Sequence, residues 1–482
     1  MYHPIIFNLN NEESNMFVSS NNEVILSSHI NLPLLTLGFQ YFLHRTKSSM
    51  GITKNLETKN EFYYVINPFE FKISNYEDSL DKLTNYYFNI QSENLEIKNQ
   101  NFYKFWEILL FFEVGDMDKI VYTTLNDTSG SFIQAIINYR QKMNFELQND
   151  KIFSVAINQE KPLELSKQFL GFYKKNYPNL LNIHKTMNIK QKLELYGGGV
   201  DSDINSSENQ TDDIKIGGGK KPKEYNSKKS NSSTIYMNSI KSIEKTIHEN
   251  NEYSNLITAN GNLNLDIDEN FEEQKSYQLI LGEIITALKI QAHNGHFILK
   301  IFETFTIPSL KLIYILTYFY KDMYIYKPYF SRMSLSEKYL ICKNFKYDWK
   351  KDNTILTQKI KNLEQCLRNM DSSKYVYDIF PDMILPSSFL NKFKFINIKL
   401  ANMQQIMINE IIKYIKENNY FGDKYHEYRE KQIEASKWWI NTFFPPSANL
   451  YKKNKEDLSK LLLLTIEKYN IEIQNLSANL IK

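Results

Sequence analysis

Cysteine is nearly absent: the 482 residues include two, Cys342 and Cys366, in ordinary helix- or strand-like surroundings. They can build neither a disulfide framework nor a zinc ligand set, so a reducing compartment is expected. Charge of one sign is also missing, with 58 basic against 55 acidic residues and a net charge of +3. Global charge therefore does not announce nucleic-acid binding, and any basic surface must be local. No apolar run reaches the roughly 20 residues of a membrane span. The longest, "LKLIYILTYFY" (310–320), carries Lys311 and reads as a buried helix. The start, "MYHPIIFNLNNEESN", lacks the charged leader and apolar stretch of a secretory signal. Together these absences lead us to expect a soluble, intracellular chain with no membrane partner.

What is present describes a folded protein. Hydrophobic residues make up 42% and charged residues 23%, and 33 Tyr with 31 Phe supply bulky core material. The length suits two or three domains of roughly 100–200 residues each. Residues 1–100 mix strand-like runs ("NEVILSSHI", "EFYYVINPFEFKI") with one apolar helix, an α+β accessory region. From 101 to 345 helices (about 103–113, 131–145, 271–292, 306–319) alternate with strands (118–126, 151–157, 255–259, 295–302). That alternation predicts an α/β domain with a mostly parallel sheet covered on both faces. The last two strands, "DMYIYKP" and "EKYLICKNF", are joined by a link too short for a helical crossover and should pair antiparallel. Residues 346–482 read as helical. The stretch at about 205–233 is polar and nearly devoid of apolar residues, a surface insertion; its "KKPK" (220–223) reads as part of a solvated loop.

In such a sheet ligands bind beyond the carboxyl ends of the strands. Those ends carry "NDTSGSF" (126–132), Asn260-Gly261, Lys300 and, at the start of the antiparallel last strand, Glu337. Lys104, on the first helix, can reach the same edge. His293 and His296 in "AHNGHF" have metal-pair spacing, but no third ligand stands nearby and a plain turn is the better reading, so no metal is expected.

The run "NFYKFWEIL … NDTSGSFIQAIINYR … GGGVDSDI … NLITANG … GHFILKIFETFT … YKPYFSRMSLSEKYLICK" resembles the FtsJ-like RNA ribose 2′-O-methyltransferases. It is most similar to the cap-specific type, including versions found in large cytoplasmic DNA viruses. The resemblance implies a Rossmann-like methyltransferase sheet, S-adenosylmethionine as methyl donor, capped mRNA as substrate, capping-machinery proteins as possible partners and a cytoplasmic (or virion) location. Carried over by position, its Lys-Asp-Lys-Glu catalytic set implies Lys104, Asn260, Lys300 and Glu337, with Asn260 standing where the family has aspartate. It places the cofactor over Asp127, Ser129, Gly130, Ser131 and Phe132, with Asp203 at the adenine. Lys327 and Arg332, beside "KPYFSR", are candidate RNA contacts, with a strand-junction role as the alternative.

The chemistry explains such a set. A ribose hydroxyl must lose its proton as it attacks a sulfonium methyl, and a neutral amine can take it. Free lysine is charged at neutral pH, with a pKa of about 10.4. Burial and a second cation disfavour the ammonium. Asn260 removes a charge that would keep Lys300 protonated, and also a strong acceptor that would aim the amine. "DTSGSF" departs as well, with Thr-Ser where the pattern has a small residue and proline. Two readings follow, an active methyltransferase of reduced rate and a catalytically inactive homologue serving as a scaffold. On the first, Asn260→Asp should raise the rate.

Overall fold

The computed structural model describes residues 2–10, 22–29, 37–56, 61–70, 99–127, 129–155, 167–183, 252–261, 269–371, 374–417, 422–445 and 448–480, with 97, 240, 241, 244, 245 and 247. Asp203, the insertion at about 205–233 and its "KKPK" lie outside the described residues.

The chain runs β1 (Ile5–Asn8), β2 (Val24–Ser27), α1 (Leu37–Ser48), α2 (Asn101–Phe112), β3 (Val121–Leu125), α3 (Ser131–Lys142), β4 (Lys151–Val155), α4 (Lys167–Asn176) and β5 (Leu181–Ile183). It continues through β6 (Ser254–Ala259), α5 (Glu272–Ile290), β7 (Gln291–Ile301), α6 (Ile307–Phe319), β8 (Tyr320–Lys327) and β9 (Lys338–Phe345). The last elements are α7 (Asn353–Asn369), β10 (Tyr375–Ile379), α8 (Ser387–Lys416), α9 (Asp423–Phe443) and α10 (Ala448–Leu480).

Eight strands form one sheet in the order β1-β8-β9-β7-β6-β3-β4-β5. The β5-β4-β3-β6-β7 portion is parallel, and β9 runs antiparallel between β7 and β8. The fold class expected from the alternation is therefore present, reversed strand included. The N-terminal region is less separate than its composition suggests, because β1 pairs with β8 at the sheet edge and β2 pairs with β10.

Side chains alternate across the sheet, as the two-residue repeat of a strand requires. On β7, Phe297, Leu299 and Ile301 enter the core under α5 and α6, whereas Ile298 enters the core under α2 and α3. Lys300 falls in the Ile298 register. That face is what its apolar strand gives a lysine: the side of the sheet on which α2 lies. His293 and His296 lie within β7 and not in a turn, because the strand begins at Gln291 and a register shift on β6 absorbs the irregularity. His296 Nδ1 accepts from the Asn344 N–H (3.2 Å). Among the described residues no group of three His, Cys, Asp or Glu could hold a metal ion, and no helix is long and apolar enough to cross a membrane.

The C-terminal helices fasten onto α2. Glu107, fully buried, accepts from Trp439 Nε1 on α9 (2.9 Å), Tyr326 Oη on β8 (2.6 Å) and the Tyr329 N–H (2.8 Å). The Trp106 indole donates to the Phe443 carbonyl (2.8 Å). One buried carboxylate thus ties the accessory helices to the helix that carries Lys104.

Candidate active site

The chain goes β3, β4, β5 in one direction across the sheet and then returns to place β6 on the other side of β3. Ligands bind at such a switch point, in the crevice beyond the strand ends. The register Leu125↔Ala259 sets Asn126 beside Asn260 there, and the Asn260 N–H donates to the Leu125 carbonyl (3.0 Å). Beyond Asn126 the backbone turns with two left-handed residues, Asn126 (φ 60°) and Gly130 (φ 67°), and α3 opens at Ser131. The glycine at 130 is needed for that conformation, which costs a side chain energy.

Three of the expected catalytic residues meet at this edge. Lys300 pairs across the ladder with Tyr339, two residues from Glu337, because β9 runs backwards. Lys104 reaches in from the first turn of α2, and its ammonium lies 2.9 Å from both carboxylate oxygens of Glu337. Tyr339 Oη donates to the same carboxylate (2.7 Å). Lys300 is 5% exposed and Lys104 2%. Burial lowers the Lys300 pKa; Glu337 opposes that shift, Lys104 adds to it, and Glu283 and Glu272 oppose it. Burial alone would raise Glu337, but Lys104 and Lys300 outweigh it and hold the carboxyl at about 2. Glu337 therefore clamps Lys104 and acts on Lys300 through charge.

Asn260 sits among these groups with both halves of its amide accounted for differently. Its side chain is hydrogen-bonded to Asp127, whose carboxylate also accepts from Ser129 Oγ (2.8 Å), the Phe132 N–H (3.0 Å) and the Gly130 N–H. Its Oδ1 is buried and has no hydrogen-bond partner among the described residues. The Lys300 ammonium approaches the Asn260 backbone carbonyl at 3.4 Å instead. An aspartate at 260 would set a second carboxylate against Asp127, which burial already pushes above its ordinary value. Asn260→Asp therefore also introduces buried repulsion against Asp127, beside any gain in aiming the amine.

The remaining candidates divide. Asp127, Ser129, Gly130 and Ser131 line the turn at the N-terminus of α3, a place suited to charged ligand groups. Phe132 contributes its N–H, while its ring stacks on Phe105 in the core (4.6 Å between centroids). Lys327 is buried, and its ammonium donates to the Leu335 and Glu337 carbonyls (2.8 Å each). Arg332 forks onto Glu70 (2.7 and 3.0 Å) and lies over the Tyr64 ring (3.8 Å). Both are engaged inside the chain at the strand junction, so the structural alternative describes them better than phosphate contact.

One residue at the site was not anticipated. Glu283, 1% exposed on α5, accepts from Asn126 Nδ2 (2.6 Å) and from the Gly261 N–H. Its signal was a lone carboxylate inside the apolar run "YQLILGEIITAL", where a glutamate is almost never left buried without a partner.

A pH prediction follows from Glu337. Its carboxyl is held at about 2 against an ordinary 4.5, so its contribution to stability is complete above 4.5 and is lost as pH falls from there through about 2. Lys104→Met removes the main opposing charge. Urea unfolding at a series of pH values should show the variant's stability falling less steeply over that window, by roughly 1–3 kcal/mol in total.

Comparison with known proteins fits this geometry. The family model described as FtsJ-like methyltransferase matches residues 103–345, about half of the chain, from α2 to the end of β9. Cap-specific mRNA (nucleoside-2′-O-)-methyltransferase 1A of Caenorhabditis briggsae is 26% identical over 219 residues, covering 45% of this chain and 25% of that protein. The inactive cap-specific mRNA (nucleoside-2′-O-)-methyltransferase 1B of the same organism matches at the same identity and coverage. Cap-specific mRNA (nucleoside-2′-O-)-methyltransferase 1 of Dictyostelium discoideum is 40% identical over 90 residues, 19% of this chain and 12% of that protein. The chain spans about a quarter or less of the length of these curated relatives. The strand order, the lysine pair with its glutamate and the extent of the match lead to one conclusion: the chain belongs to the FtsJ-like methyltransferases.

Proposed function

We propose that this chain is an S-adenosylmethionine-dependent methyltransferase that acts on the ribose 2′-hydroxyl of RNA, at the mRNA cap. The observation that carries the reading is Lys300, a buried amine at the switch-point edge beside the Lys104–Glu337 pair. Relatives named for cap-specific 2′-O-methylation support the substrate.

The residues present fit the donor. Its aminoacyl end carries an ammonium, and the edge offers the Asp127 carboxylate and the unpartnered Oδ1 of Asn260 as acceptors. The turn at Ser129, Gly130 and Ser131 would hold the same end. When bound, S-adenosylmethionine supplies an electrophilic methyl group. The chain's own part is proton transfer and alignment. Lys300 Nζ would accept the 2′-hydroxyl proton, which needs the neutral amine that burial and Lys104 favour. Glu337 fixes Lys104, and so fixes how strongly that cation is felt. Holding the hydroxyl in line supplies much of the remaining acceleration.

A second reading, a catalytically inactive homologue that serves as an RNA-binding or capping-complex scaffold, is favoured by Asn260 and by the relative named inactive. On either reading RNA is the macromolecular partner, with capping proteins beside it. A cytoplasmic site of action accords with two buried free thiols. Calorimetric titration with S-adenosylmethionine separates the readings first. We expect one-site binding that Gly130→Val abolishes, since valine is strained at positive φ. A wild-type protein that takes up no donor overturns the enzyme assignment.

A further inference from the structure

The carboxylate missing at position 260 leaves a question that the structure answers from the other face of the sheet. Lys300 lies on the α2 side, and its ammonium meets the carbonyl of the Asn260–Gly261 peptide at 3.4 Å. Glu283 comes from α5 on the opposite side and accepts from the N–H of that same peptide, at Gly261. One peptide group thus has the amine at its oxygen and a carboxylate at its hydrogen. The approach is close: a Cβ at Gly261 would stand 2.6 Å from Glu283 Oε1, so any larger residue there would displace the carboxylate. Asn126 Nδ2 holds the same oxygen at 2.6 Å, which fixes its position at the strand end.

We propose that Glu283 is the positioning residue for Lys300, supplying through the Asn260–Gly261 peptide and through its charge the influence that a carboxylate at position 260 would exert. The inference rests on the reading of Lys300 as the base. Glu283 does not touch the reacting atoms. It polarises the peptide so that the Asn260 carbonyl becomes a stronger acceptor for the amine, and its charge favours the ammonium. Asn260 is then an amide because two carboxylates, Asp127 and Glu283, already flank it. The charged groups acting most strongly on Lys300 include Glu337 from β9's approach, Lys104 from α2, and Glu283 and Glu272 from α5. Burial raises Glu283 itself to about 7, opposed by its bond from Asn126, by Lys300 and by the Gly261 N–H. Burial thus moves the two groups toward each other, lowering Lys300 and raising Glu283, and couples their charges.

The test follows the Lys300 side chain directly, by NMR of the full chain carrying 13C-labelled lysine, with its resonance assigned by its loss in Lys300→Met. Glu283→Gln keeps the shape and removes the charge. The Lys300 titration midpoint should move down, and Glu283→Gln combined with Asn260→Asp should return it toward the wild-type value. Gly261→Ala, which pushes the carboxylate away without touching its charge, should move the midpoint in the same direction as Glu283→Gln. If these variants fail to fold, the wild-type curve decides: Lys300 must show a second inflection at the midpoint of the Glu283 carboxyl. A purely structural Glu283 predicts no movement in Glu283→Gln and no second inflection, and either result overturns the proposal. No donor or RNA is needed for these readings. A protein that passes them yet binds no S-adenosylmethionine refutes the methyltransferase reading and leaves the Glu283–Lys300 coupling standing.

Discussion

Lys300→Ala is expected to reduce methyl transfer by about 100- to 10,000-fold, the usual contribution of a positioned general base. Donor binding should survive, because the cofactor turn at Ser129–Ser131 lies between β3 and α3, away from β7. Lys300→Arg should be no better than alanine: a guanidinium stays protonated and cannot accept the hydroxyl proton. In the wild type, the rate should rise with pH through the lowered pKa of Lys300, since only the neutral amine is a base. Single-turnover rates with capped RNA, measured beside donor affinities, separate loss of the base from loss of binding. A Lys300→Ala protein with an unchanged single-turnover rate would remove the lysine from the mechanism.

The largest expected effect on stability lies at the opposite edge of the sheet. Arg140, 1% exposed on α3, donates to Asp150 (2.9 Å from Nη2 to Oδ1) and to the carbonyls of Gly115, Met117 and Asp118 (3.0, 2.7 and 3.0 Å). Asp150 in turn accepts from the Ile120 N–H (2.9 Å). The pair therefore clamps the starts of β3 and β4, whose far ends carry the site. Removing one partner of a buried ion pair leaves an uncompensated charge and costs about 3–5 kcal/mol. Arg140→Met should lose that amount in urea unfolding, with a melting temperature lower by roughly 3–5 °C. Arg140→Lys should recover little, because a single ammonium cannot serve a carboxylate and three carbonyls in one plane. A loss below about 1 kcal/mol would show that water enters the site and satisfies Asp150.

The same contrast between local and distant partners explains what could be read from the chain. The parallel sheet with its reversed last strand was legible because helices and strands alternate, and because seven residues between "KP" and "SEK" leave no space for a crossover. Lys300 and Glu337 could be placed at one edge from strand direction, and the family resemblance added Lys104 from the first helix. Glu283 could not: its partner is the 260–261 peptide, and only the register of β3 against β6 with α5 laid over it brings them together. Its anomaly as a charge in an apolar helix was visible, as was that of Glu107 in "FWEILLFF", but neither names its partner. Asn260 also depends on a partner that the sequence does not name. Read alone it is a lost carboxylate, whereas its bond to Asp127 makes an amide the compatible residue. Lys327 and Arg332 could be read either as RNA contacts or as strand-junction residues, because composition carries no burial; backbone carbonyls hold one and Glu70 the other. The edge strand β1 was invisible for a related reason, since four residues pairing with β8 across more than three hundred positions leave no periodic signal.

The central claim is that this edge transfers a methyl group to a ribose 2′-hydroxyl. The direct measurement is incubation of the purified full chain with capped RNA and methyl-labelled S-adenosylmethionine, followed by alkaline hydrolysis of the product. Cleavage by base needs a free 2′-hydroxyl, so a ribose methyl protects the adjoining linkage. Label is expected from the wild-type protein in a cap fragment one nucleotide longer than the fragment that alkali leaves from RNA without the ribose methyl, and none from Lys300→Ala. Label that hydrolysis releases in ordinary mononucleotides, or no label from a wild-type protein that binds the donor, would contradict it.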